Sequence, residues 1–463
     1  MDDTTRDAAV PAAESSTLKQ TLGGWQVLFY GLGSMLGAGI YALVGKAAGV
    51  MGNAVWMGFL AAMIAALLTG LSYASAGSRH PRAGGAAFIT GRAFRSSLLS
   101  TAVGIAVMMS GLTSMATGLQ AISRTLLPAD SELIKAAAIG LAAVLGCVIF
   151  RGIRESMWLN ALCTAVEAGG LLFIIAVGCR YWGGVDYLET PPTSAEGGAA
   201  AGLTAALVMQ AAVLTFFSFI GFEDILNVSE EVKNPRRNVP FGLVGAMVAA
   251  TLIYIAVAVT AVSVLGWKAL SESKAPLMDV AKAAAPWFTG IDKVFAVITV
   301  FAIGNTALLN YLMGSRLLYG MGQQRLLPDV LSRVHATRRT PHVAIIVLFG
   351  IVALLILSGD VKAMAEATVL LLLAVFTLMN AALVVLQRNP CESRGGFEVP
   401  AVIPVLGALV CAVLFGTRLY RAVISESPAE CTAPLVAVAI LAAGFVIALL
   451  HGRRRQSAGS GSL

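Results

Sequence analysis

Residues 25–50 read WQVLFYGLGSMLGAGIYALVGKAAGV, an apolar run long enough to cross a bilayer but loaded with glycine at its middle. Gly31, Gly33, Gly37 and Gly39 fall around Ser34, Met35 and Leu36. Hydrocarbon offers the backbone no hydrogen-bond partner, so a membrane helix normally satisfies its own N–H and C=O groups. A helix weakened at mid-depth is tolerable where the freed groups face a protein-lined cavity and hold a solute or an ion. The other reading of the same glycines is close packing between helices, as in small-xxx-small motifs.

The rest of the 463-residue chain has the composition of a membrane protein. It is 57% hydrophobic and 12% charged, with a mean hydropathy of +0.82. Soluble domains carry about a quarter charged residues. Apolar runs of membrane-spanning length recur about twelve times. They fall near 24–49, 53–77, 97–122, 133–151, 156–179, 203–229, 240–266, 291–319, 342–358, 364–387, 401–421 and 433–451. The expected fold is therefore an all-α polytopic membrane protein. A polar segment (1–22) leads into a single transmembrane domain (23–451), and a basic, then Gly/Ser-rich tail (452–463) follows.

Lys and Arg set the expected orientation. Roughly 21 of the 32 basic residues fall on one side if the N-terminus is cytoplasmic. Asp130, Glu132, Asp186, Glu189 and Glu196 fall on the other. Both termini are expected inside the cell membrane, and the net charge of +7 needs no nucleic-acid partner. The polar first residues contain no apolar h-region of a signal peptide. The six cysteines lack CxxC spacing and read as small buried residues. His80, His335, His342 and His451 have no metal-binding spacing. Gly45-Lys46 lacks the surroundings of a phosphate-binding loop.

A second interruption falls in the sixth span, TFFSFIGFEDILNVSEEVKNP, where Ser218, Gly221, Glu223 and Asp224 break an aromatic-rich run. Breaks in spans 1 and 6 have the offset of two five-span repeats, about 23–180 and 203–387, with two helices appended at about 401–451. Matching broken helices in inverted halves point to a substrate site near the bilayer midplane.

Four stretches then carry a resemblance. GLGSMLGAGIY (Gly31–Tyr41) resembles the GxGxxxGxGIF signature of the amino acid–polyamine–organocation permeases, and FFSFIGFED…SEEVKNPRRNVP (Phe216–Pro240) is similar to that family's sixth-span motif. PRAGGAAFITGRAF and GSRLLYGMGQQRLLPDVLSRVHATRRTP match further family patterns in the same order. Within the family the chain resembles the bacterial amino acid permeases related to cationic amino acid transporters. The resemblance implies a LeuT-type 5+5 inverted repeat with discontinuous helices 1 and 6 and two extra helices. It also implies secondary transport of an amino acid or related amine by alternating access, as proton-coupled symport.

Carried over residue by residue, Ser34, Met35, Leu36 and Gly37 would face the substrate carboxylate. Phe217, Ser218, Phe219 and Ile220 would line the span 6 side, with Gly31, Gly33, Gly39 and Gly221 as the glycines of the unwound segments. A helix N-terminus offers unpaired donors to an anion, which agrees with the first assignment. Phe217 and Phe219 are candidate gates.

Glu167 departs from the pattern: similar transporters place a lysine there. It lies roughly 16 Å into span 5, near the midplane. An intramembrane carboxyl is expensive, so Glu167 should face the cavity as a proton-coupling group or as counter-charge to a cationic substrate. A structural hydrogen-bonding role is the alternative. Glu223 matches a carboxylate of related exchangers and is the second candidate for proton coupling. Asp224 ranks lower because adjacent residues project about 100° apart on an α-helix.

Asn305, Thr306 and Asn310 in span 8 keep sodium open as the coupling ion. No cofactor or metal is called for; the partners are the small molecule and the lipid bilayer. Exchange through the same pocket, an intramembrane enzyme and a channel are the rival readings. Substrate identity and oligomeric state stay open.

Overall fold

The computed structural model describes residues 18–128, 131, 133–192, 203–273, 275–358 and 361–424, together with Leu435, Ala437, Val438 and Ala442. The start of the N-terminal segment, Asp130, Glu132, Glu196, Cys431, nearly all of the expected twelfth span and the tail lie outside the described residues.

Among the described residues every long element is helical. The first span is two helices, α1 (Gly24–Met35) and α2 (Ala38–Met51), separated at Leu36–Gly37. There follow α3 (Val55–Arg79), α4 (Gly85–Phe94), α5 (Ser97–Leu126), α6 (Ile134–Arg151) and α7 (Ile153–Gly178). The sixth span begins as α8 (Ala205–Thr215) and continues as two 3₁₀ segments, Phe216–Phe219 and Phe222–Glu231. Beyond it lie α9 (Pro235–Glu272), α10 (Pro276–Ala284), α11 (Ile291–Gln323), α12 (His342–Ser358), α13 (Val361–Arg388) and α14 (Val402–Ile424).

Eight helical stretches among the described residues are long and apolar enough to cross a membrane. The halves of span 1 are shorter because the break divides it, and α12 has 17 residues. Large apolar side chains such as Leu252, Ile346 and Leu354 are two-thirds exposed on the outside of the bundle. That is stable where the surroundings are hydrocarbon and costly in water. The chain is a multi-pass membrane protein.

Local chemistry sets the ends. Ser96 and Thr204 accept hydrogen bonds from Leu99 N and Leu207 N, capping α5 and α8. Pro235 occupies the first turn of α9, where its missing N–H costs nothing. The expected seventh span ends at Gly266, where the long helix kinks through a φ of 73°. The basic segment 78–94, between the second and third spans, contains α4. This helix packs on α5, α13 and the second 3₁₀ segment.

Helix packing surrounds the two broken spans. α1 and α3 lie on α9, α11 lies on α5 and α7, and α13 joins α5 to α14. One end of the bundle is sealed. Thr21 N and Leu22 N donate to Glu231 O at 2.9 and 3.0 Å, and Lys233 N donates to Leu22 O at 2.8 Å. Ala83 N donates to Glu230 Oε2, and Arg79 pairs with Glu398 at 2.5 Å. Behind them Arg316, fully buried, meets Glu231 with Nε at 3.1 Å and Nη2 at 3.4 Å. Toward the other end a hollow of about 290 Å³ opens beside Tyr41, Met278, Phe295 and Thr299.

Candidate transport site

The two breaks lie back to back. A Cβ on Gly221 would stand 2.6 Å from Ser34 Oγ and 2.7 Å from Ser34 O, and one on Gly39 would stand 2.9 Å from Ser218 Cα. Gly221 also has φ 126°, a backbone conformation that side chains with a Cβ avoid. Glycine at these positions lets backbone meet backbone.

The expectation that Gly31, Gly33 and Gly39 belong to unwound backbone is corrected. Gly31 and Gly33 sit inside α1, and Gly39 lies in the first turn of α2. They serve close approach instead. Gly31 faces Ile225, Gly39 faces Ser218, and Gly33 faces the side chains of Thr164, Asn160 and Asn305. Only Gly37 and Ile220–Gly221 leave helical geometry within the two cores.

Between the breaks is a cavity of about 110 Å³. Ser34 and Gly37 line it from span 1, and Phe217, Ile220, Gly221, Glu223 and Asp224 from span 6. α5 contributes Ser110, Gly111 and Ser114, and α11 contributes Thr306 and Asn310. Met35, Leu36, Ser218 and Phe219 are not among the lining residues. Met35, Leu36 and Phe219 are packed in the core, and the Ser218 hydroxyl is buried without a partner. The lining carries two carboxylates and no Lys, Arg or His.

Both carboxylates are engaged with the breaks. Gly221 N donates to Glu223 Oε2 at 2.8 Å, and Ser34 Oγ donates to Asp224 Oδ2 at 2.9 Å. Asp224 thus ties span 6 to span 1, a contact separate from the proton coupling for which Glu223 is the higher-ranked candidate. Adjacent side chains diverge on either kind of helix, yet both carboxylates border the cavity, because it lies where the chain turns at Gly221. Residues 222–231 form a 3₁₀ segment, in which successive side chains turn by about 120°.

Glu167 occupies a different place from the one expected. It is fully buried and does not line the cavity. It stands behind α1, where Asn305 Nδ2 donates to Thr164 Oγ1 at 3.2 Å and Thr164 Oγ1 donates to Asn160 Oδ1 at 3.3 Å. Asn305 is a neighbour of Glu167, and neither carboxyl oxygen has a hydrogen-bond partner. Asn305 Oδ1 and the Tyr41 hydroxyl, at the edge of the outer hollow, are likewise buried and unpartnered. An added proton on Glu167 would turn its carboxyl into a donor as well as an acceptor among these unpartnered groups.

Tyr254 of α9 is a site residue that sequence reading missed. Its hydroxyl lies 2.5 Å from Met35 O and 2.9 Å from Ser218 O, one carbonyl from each break. Its ring packs edge-on to Phe219 with centroids 5.3 Å apart. A lone tyrosine in an apolar span gives no sign of this. Tyr254→Phe leaves two buried carbonyls without their shared donor and is expected to cost about 1–3 kcal/mol. The thermal midpoint of the purified protein measures it, and an unchanged midpoint would show that the bridge contributes nothing.

Two discontinuous helices packed back to back around a cavity that carries two carboxylates have the architecture of a solute transporter of the broken-helix kind. Residues 22–450 match the amino acid permease family model, and the chain belongs to that family. It is 27% identical to a methylthioribose transporter of Bacillus subtilis (strain 168), over 86% of this chain and 88% of the relative. A branched-chain amino acid permease of the same organism is also 27% identical, over 88% and 90%. Cationic amino acid transporter 4 of Mus musculus is 29% identical over 83% of this chain and 64% of the relative. The family and these relatives are transporters and not enzymes.

Proposed function

We propose that this protein is a secondary transporter of an amino acid or related amine, working by alternating access as a proton-coupled symporter in the cell membrane, with both termini cytoplasmic. The observation that carries the reading is the cavity between the breaks, with Glu223 and Asp224 in its wall and no basic side chain. Two carboxylates at that depth call for positive charge, either protons or a protonated amine of the cargo. The relatives are named for different cargoes, so the amine is argued from this cavity. One sealed end and one hollow end suit a single state of an alternating cycle. The 5+5 inverted repeat implied by the resemblance is the framework in which the two breaks would rock against their neighbours.

Uptake by proteoliposomes tests this. A set of labelled amino acids and amines is offered with and without an inside-alkaline pH gradient. Gradient-driven accumulation of an unaltered amine-bearing solute is expected without internal substrate. Uptake only against preloaded solute would replace symport with exchange, the rival suggested by the exchanger-like carboxylate at Glu223.

In this scheme Glu167 is a proton-coupling group behind span 1. Glu167→Gln keeps the shape and removes the titration. Gradient-driven uptake is expected to fall roughly tenfold, equivalent to about 1.4 kcal/mol, while counterflow at equal pH persists. Unchanged uptake and unchanged pH dependence would leave Glu167 a structural role only.

A further inference from the structure

A second concavity, unrelated to the cavity between the breaks, lies on the outside of the bundle between α6 and α12. It is a groove of about 700 Å³ at the end where Arg151 closes α6 and His342 opens α12. This is the sealed end of the protein, because α11 runs from the hollow end to the segment that leads into α12. Four basic or basic-capable side chains line the groove: Arg151, His335, Arg338 and His342. No carboxylate is among its lining residues. Neither arginine has a carboxylate partner among the described ion pairs.

The polar end is built in advance. Arg338 places its guanidinium 5.5 Å from the centre of the Phe150 ring, and its Nη1 donates to Arg151 O at 3.4 Å. The loop that carries it is pinned to α6 by Thr340 Oγ1 donating to Phe150 O at 3.1 Å. Within that loop His335 N donates to Thr340 O at 2.9 Å. His342 Nδ1 is buried in the groove with no hydrogen-bond partner.

The remainder of the groove is apolar. Ala143 and Ile346 are exposed on its two walls, and Phe349 continues it away from the charged end. Gly146 keeps the floor low, since a Cβ there would stand 3.0 Å from the Tyr311 hydroxyl. Tyr311 itself is satisfied by donating to Ile345 O at 2.8 Å. The result is an amphipathic slot: cationic at the membrane interface and greasy toward the bilayer interior.

We propose that this slot binds one anionic phospholipid, its phosphate between Arg151, Arg338 and the histidines and an acyl chain along Ile346 and Phe349. A soluble anion would use only the charged end. The apolar half, continuous with it and open to hydrocarbon, fits a lipid taken from the same leaflet. Basic pockets between membrane helices recognise anionic headgroups in this way, and each arginine near the surface adds to the attraction.

The test reads lipid retention. Protein purified from nanodiscs of phosphatidylcholine with a minority of phosphatidylglycerol is delipidated mildly, and the bound lipid is identified by mass spectrometry. About one phosphatidylglycerol per chain is expected, enriched over phosphatidylcholine. The variant carrying Arg151→Gln and Arg338→Gln is expected to retain roughly tenfold less, whereas Arg151→Lys with Arg338→Lys retains most of it. Ala143→Phe, which fills the acyl half and spares every basic group, is expected to reduce retention as well; this variant decides the matter if the glutamine pair fails to fold. Equal retention of both lipids, or full retention by Ala143→Phe, overturns the proposal. Displacement of the lipid by millimolar inorganic phosphate or glycerol phosphate would also overturn it, in favour of a free-anion site.

Discussion

Arg316→Met is expected to destabilise the protein by about 3–5 kcal/mol, because it leaves Glu231 buried without its counter-charge. Arg316 is completely enclosed, with Nε 3.1 Å from Glu231 Oε2 and Nη1 2.9 Å from Ser315 Oγ. Glu231 is 2% exposed at its side chain, so water cannot replace the guanidinium. The backbone of Glu231 also receives Thr21 N and Leu22 N, which fasten the start of span 1 to the end of span 6. Losing the pair therefore loosens the sealed end as well as exposing a desolvated charge.

The measurement is thermal unfolding of the purified protein in detergent, wild type beside variant. The double variant Arg316→Met with Glu231→Met separates the charge from the packing. Apolar replacement of a whole buried pair is often neutral, so most of the stability should return. A single variant as stable as wild type would mean that the closed end does not depend on this pair. If the double variant stays as unstable as the single, the loss lies in shape rather than in the stranded carboxylate.

The pair also marks the boundary of what the sequence could disclose. Eight of the membrane-crossing stretches were legible because hydrocarbon thickness imposes a length and a composition on each of them. The two breaks were legible because glycine in a membrane helix needs a reason, and Gly37 and Gly221 stand where helical geometry stops. The use made of the other glycines was not legible. Gly33 meets three polar side chains from α7 and α11, and those neighbours are set by how the helices pack.

The contact of Asp224 with Ser34 was not legible, because it depends on how the sixth span packs on the first. Tyr254 was invisible for the same reason. Its function is to bridge Met35 O and Ser218 O, and those two carbonyls are 183 positions apart by numbering, 218 against 35. Glu167 was found as an oddity of depth, yet it lies buried outside the cavity lining, among neighbours that span packing brings together. Chemistry that depends on local period was readable; chemistry that depends on which spans touch was not.

Gly221→Ala is expected to abolish uptake and to lower the thermal midpoint, through two effects that reinforce each other. The backbone at Gly221 has φ 126°, and holding a residue with a Cβ there costs about 1–3 kcal/mol by itself. The new methyl would then stand 2.6 Å from Ser34 Oγ, 2.7 Å from Ser34 O and 2.8 Å from Ser34 C. Two of those atoms are backbone, so rotating a side chain cannot relieve the overlap. The two breaks must separate. Separation disturbs the Ser34–Asp224 hydrogen bond at 2.9 Å and the Gly221–Glu223 hydrogen bond at 2.8 Å, which together hold the wall of the cavity. Gly140, which has nothing within 4 Å of an added Cβ, supplies the control: Gly140→Ala should leave both readings unchanged. Uptake is measured in proteoliposomes at matched protein content, and stability by thermal unfolding of the same preparations. Full uptake by Gly221→Ala at normal stability would mean that the breaks need not touch at any stage of transport. Lost uptake with an unshifted midpoint would place the damage in the cavity wall alone, since the strained backbone and the overlap both raise the energy of the folded state.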